Sequence, residues 1–129
     1  MTDSIRLFLH VIGASVWVGG QLILAALVPF LRNRGRDLPK LVAQKFNRVA
    51  WPAYFLLLAT GFWNVDTLAR PLTSNYRTAL IIKMVVVLFS GVAAFLHTKS
   101  RSSLGLAFWG AISGLAALMA TYLGVLLAG

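Results

Sequence analysis

A histidine, a tryptophan, a glycine pair and a glutamine lie inside an apolar run, residues 7–31, long enough to cross a bilayer. At about 100° per residue, His10, Ala14, Trp17, Gln21 and Leu24 fall near one line along a helix. A spanning helix needs none of these polar groups for insertion. In hydrocarbon each costs free energy unless it faces protein or a cavity, which makes His10 a candidate site. Neutral imidazole is a ligand for copper and for haem iron. The competing reading is a helix-end histidine bonded to a neighbouring carbonyl or to water.

Depth selects the groups that could join it. His10 lies about five residues, or roughly 7 Å, into its helix, and Lys83 about six residues, or roughly 9 Å, into the third apolar run. Both runs are expected to cross in the same direction, so the two residues share a layer. The ends of the second and fourth runs bring Asn64, Asp66, Met119, Thr121 and Tyr122 towards that layer. Met84 and Met119 offer soft thioethers to Cu(I) or a sixth ligand to haem; their plain reading is packing. Lys83 tunes such a site, or else snorkels and pairs with Asp66 or a headgroup. The candidate ligands are therefore His10, Met84 and Met119, with Trp17, Gln21, Asn64, Lys83 and Tyr122 lining or tuning the site. His97 stands at the far end of the third run, roughly 30 Å of helix beyond Arg77. His10 and His97 therefore cannot hold one haem iron within a monomer. No nucleophile elbow, zinc-protease helix motif or phosphate loop is present, and the three acidic residues are scattered, so no catalytic residue is assigned.

The elements that would position these groups follow from composition. Of the 129 residues 59% are hydrophobic, more than a soluble domain of this size could cover. Four apolar runs, about 5–31, 49–68, 78–97 and 104–128, each approach the roughly 20 residues of a bilayer span. Short loops between the later runs make them antiparallel neighbours. The expected fold is all-α: one integral-membrane domain over 1–129, a four-helix up-down bundle. The first run exceeds a signal peptide's apolar core and has no small-residue cleavage site after it, so it is expected to be retained. Residues 38–49 carry apolar positions at helical spacing with basic residues opposite. The second helix is thus expected to begin in the interface and to enter the membrane at Trp51, with Pro52 as a possible kink site.

The formal net charge of +9 flanks the apolar runs and forms no face interleaved with aromatics, which argues against nucleic acid and for anionic lipid headgroups. Arg32, Arg34, Arg36, Lys40, Lys45 and Arg48 in the first loop join Lys99 and Arg101 in the third. The opposite side has Arg6, Arg70, Arg77 and Lys83. The first and third loops are therefore expected in the cytoplasm, with both termini outside and the chain in the cytoplasmic (inner) membrane. Trp51, Trp63 and Trp109 read as interfacial anchors. Gly13, Gly19, Gly20, Gly61, Gly91, Gly110 and Gly114 suit close helix packing, within the bundle, a homo-oligomer or a larger membrane complex. The absence of cysteine removes disulfides, thiolate metal sites and iron–sulfur clusters.

The stretch L-H-V-I-G-A-S-V-W-V-G-G-Q-L at 9–22 resembles the first helix of the copper-resistance protein D (CopD-like) membrane domain. The likeness continues in K-F-N-R-V-A at 45–50, L-A-T-G-F-W-N at 58–64 and I-I-K-M-V-V-V-L at 81–88. The same pattern also resembles the HemJ-type membrane proteins, which bind haem b. The resemblance marks His10, Trp17, Gly19, Gly20, Gly61, Asn64 and Lys83. On the CopD-like side it implies copper handling or import through a site near the outer surface. On the HemJ side it implies a haem b redox protein, the one reading that would make the chain an enzyme. A structural accessory subunit without a ligand is the third expectation.

Overall fold

The structure is a computed structural model and describes residues 2–66 and 73–128, every regular element of which is helical. Helix α1 spans Thr2–Ala14 and runs through a π-helical turn, Ser15–Gly19, into α2, Gly20–Arg34. Then come α3, Leu38–Asp66, α4, Ser74–Lys99, and α5, Ser103–Ala128. The expected end of the second run at Leu68, the charge of Arg70 and the Asp66 side chain lie outside the described residues.

Local chemistry sets the helix ends. The Thr73 hydroxyl accepts from the Tyr76 N–H at 3.2 Å and caps α4. The Ser102 hydroxyl accepts from the Gly105 N–H at 3.0 Å and caps α5 in the same way. Pro39 sits in the first turn of α3, where its missing N–H has no helical partner to lose. The second helix does not wait for its apolar run: the amphipathic stretch from Leu38 and the apolar stretch after Val49 form one α-helix, unbroken at Pro52. Arg34 and Lys99 close α2 and α4 near the negative end of each helix dipole, over the rings of Phe30 and Phe95 at 4.9 and 5.5 Å.

Three stretches, Thr2–Arg34, Ser74–Lys99 and Ser103–Leu127, are long and apolar enough to cross a membrane. Four were expected. Helix α3 has the length, but Trp51, Pro52, Tyr54, Thr60 and Asn64 dilute its hydropathy.

What is buried and what is exposed is the reverse of a water-soluble fold. The buried residues are mostly small or polar: Ala50, Ala53, Thr60, Ser90, Ala93, Ser113, Ala117 and Ala120. Large side chains such as Phe8, Val11, Ile23, Phe55, Val85, Phe89, Leu115 and Val125 point outward. Helices in lipid gain little by hiding leucine, and they approach closely where side chains are small.

The chain divides into two compact units, Met1–Ala69 and Arg70–Gly129. In the first, α1 packs antiparallel on α3. In the second, α4 packs on α5. There the Ser90 hydroxyl donates to the Ser113 carbonyl at 3.0 Å, and the Ser113 hydroxyl donates to the Ser90 carbonyl at 2.9 Å.

Candidate functional site

The seam between α1 and α3 is a ladder of facing residues, and its upper rungs are polar. At the first rung the Arg6 guanidinium donates through Nε to the Asn64 side-chain oxygen, and through a terminal nitrogen to Asp3 at 2.8 Å. The Arg6 side chain is 11% exposed, whereas that of Asp3 is 80% exposed. One helical turn further along both helices, His10 Nδ1 lies 2.9 Å from Thr60 Oγ1. Next, Gly13 lets the backbones touch: a Cβ there would come within 3.0 Å of the Ala53 carbonyl oxygen and 3.2 Å of the Leu57 nitrogen.

Below Gly13 the seam is aromatic. Trp17, buried at the centre of the π turn, has its ring centroid 4.5 Å from Tyr54 and 5.3 Å from Trp51. Trp51 thus joins this cluster, a role its reading as an interfacial anchor did not include. A π turn inserts one residue into the helix and rotates everything after it. At its end Gly20 clears space for Phe46; a Cβ there would run into the ring.

The Thr60 hydroxyl lies within hydrogen-bond distance of two carbonyls of its own helix, Leu56 at 2.8 Å and Leu57 at 3.1 Å, as well as of His10. With its hydrogen on either carbonyl, Thr60 Oγ1 accepts from His10 and Nδ1 carries a hydrogen. In neutral imidazole the lone pair is then on Nε2, the arrangement in which a second group orients a histidine for ligation. Gly61, next to Thr60, brings the backbone of α3 beside the ring; a Cβ there would stand 3.8 Å from His10 Cε1.

Of the residues singled out from sequence, His10, Trp17, Gln21 and Asn64 belong to the first unit, and Lys83, Met84, Met119 and Tyr122 to the second. The structure brings His10 together with Thr60 and places Asn64 one turn away, on Arg6. In the second unit Lys83 Nζ rests against Gly124, 3.2 Å from where a Cβ would stand, and has no hydrogen-bond or ion-pair partner among the described residues. Met84 is half-buried, while Met119 and Tyr122 are exposed. His97 Nδ1 donates to the Leu106 carbonyl at 2.7 Å, over Gly110. A Cβ at Gly114 would meet nothing within 4 Å, and the same holds for Gly19. Among the described residues no three histidine, cysteine or carboxylate side chains cluster for a metal ion.

Arg6 and Thr60 are the two site residues that sequence reasoning passed over. A signal was present: Arg6 precedes His10 by four positions and Thr60 precedes Asn64 by four, so each pair shares a helix face.

An uncharacterized protein of Aquifex aeolicus (strain VF5) is 31% identical over 136 residues, covering 92% of this chain and 90% of that protein. The chain belongs to its family. The copper transport protein CutJ of Bacillus subtilis (strain 168) is 33% identical over 110 residues, 77% of this chain. The chain spans only 20% of the length of CutJ. No family profile matches the chain, and no solved structure matches it significantly.

Proposed function

We propose that this chain is a membrane domain that handles copper, with His10 Nε2 as its principal ligand. The observation that carries the reading is the 2.9 Å contact between His10 Nδ1 and the Thr60 hydroxyl; with Thr60 as acceptor, Nδ1 carries the hydrogen and Nε2 is the coordinating atom of the neutral ring. Partial relationship to a copper transport protein supports copper over haem as the ligand. Trp17, Gln21 and Asn64, on the same unit as His10, line the site.

In this reading α3 is a fourth membrane span. Its polar side chains Thr60 and Asn64 are bonded to α1, so they are not presented to lipid. Both termini lie on the outer side of the cytoplasmic membrane, the basic first and third loops meet anionic headgroups, and copper enters near His10 from the outer side. The haem b alternative and a ligand-free accessory role are the outcomes that compete with copper.

The test is Cu(I) binding by the purified protein against a chromophoric chelator, with visible spectra recorded before and after dithionite. Wild type should compete for Cu(I), and His10→Ala should lose at least about tenfold in affinity. Undiminished binding by His10→Ala would overturn the assignment. A Soret band that sharpens on reduction would transfer the site to haem.

A further inference from the structure

We propose that Arg6 is an electrostatic gate over His10, and that Asp3 is its release. The inference rests on His10 being the ligand of the site. Arg6–Asn64 and His10–Thr60 are consecutive rungs between the same two helices, one turn or about 6 Å apart. The guanidinium therefore caps the imidazole on the side of the α1 N-terminus. On the lipid side of this rung Leu7, Phe8 and Val11 are exposed and apolar, which closes that approach to an ion. An ion arriving from water along the seam must pass Arg6.

A buried positive charge opposes a cation at that point, and the ion pair with Asp3 is what offsets it. Asp3 is also the exposed member of the pair, so it is the group an incoming cation meets first. A cation that engages the Asp3 carboxylate takes Arg6's counter-ion away. The guanidinium, with four rotatable bonds and water beyond it, then has reason to swing outward and clear the rung. Asn64 holds it in the closed position until that exchange happens. The device distinguishes charge: a cation is held back at Arg6 until it engages Asp3.

The chain contains no cysteine, which allows a test independent of copper. His10→Cys protein is reconstituted in lipid vesicles, and its thiol is modified with a cationic (trimethylammonioethyl) or an anionic (sulfonatoethyl) methanethiosulfonate. Freeze–thaw places reagent on both faces. The quantity read is the ratio of cationic to anionic rate constants. Adding Arg6→Gln should raise that ratio at least about tenfold, the size expected for one charge a helical turn away even at the dielectric constant of water, because the charge slows one reagent and speeds the other. Adding Asp3→Asn, which removes the counter-ion for good and so releases Arg6 outward, should also raise it, by about threefold because the pair is partly screened. Arg6→Lys should leave it near the parent value. Two outcomes overturn the gate: a ratio unmoved by Arg6→Gln and Asp3→Asn, or both rates rising together at constant ratio, which is what mere loosening of the seam would give. Because no metal is present, neither outcome depends on whether His10 binds copper, which the chelator competition decides separately.

Discussion

At the scale of single residues, the Thr60 hydroxyl decides what His10 can do. With its hydrogen on the Leu56 or Leu57 carbonyl, its oxygen is the acceptor and the imidazole donates. Thr60→Val keeps the shape and removes that acceptor, leaving Nδ1–H without its bond in a place where water is scarce. Cu(I) affinity should then fall about 10- to 100-fold, the usual effect of losing a group that orients a ligand, while Thr60→Ser should stay within about threefold of wild type. Chelator competition measures both. Equal losses for Val and Ser would mean that the methyl contact, not the hydroxyl, supports the ring.

Among the elements, the glycines divide into those at which a helix touches something and those at which it does not. Gly13→Ala would put a methyl group 3.0 Å from the Ala53 carbonyl oxygen and 3.2 Å from the Leu57 nitrogen, both backbone atoms that cannot turn aside. The helices must part, at a cost of about 1–3 kcal/mol, and the midpoint of thermal unfolding in detergent should drop by several degrees. Gly19→Ala meets nothing and gains up to about 1 kcal/mol of helix propensity, so its midpoint should hold or rise. The same division runs through α5, where Gly110 gives room to the His97 ring and Gly114 faces open space. A small-xxx-small spacing read from sequence does not separate them. Ser90 and Ser113 show the other way a membrane seam is secured: each hydroxyl reaches the partner helix's carbonyl, so neither is left unsatisfied in the apolar interior.

For the whole molecule, the open question of architecture is whether α3 spans. The arrangement proposed above puts Arg36 and Asn75 on opposite faces of the membrane. With no native cysteine to interfere, Arg36→Cys and Asn75→Cys can be labelled with a membrane-impermeant maleimide in intact cells. Asn75→Cys should react from outside, and Arg36→Cys only after permeabilisation. Labelling of both from one side would leave α3 lying along the interface and limit the spans to the three that length and composition support.

Much of this was legible in the chain itself. Helical class, the apolar spans and the grouping of basic residues at loop ends follow from hydropathy and periodicity, which are sums over neighbouring positions and need no partner. His10 and Trp17 stood out for the same reason, as polar or bulky exceptions in an apolar run. The tertiary structure alone decided that Asn64 meets Arg6, that Thr60 meets His10, that Trp17 stacks on Tyr54 and Trp51, and that a π turn sits between α1 and α2. Those facts depend on the azimuth and register of one helix against another. A slide of one turn would leave every helix intact and exchange every partner, because helix formation is local and pairing is settled by how side chains of different size and polarity fit across the seam.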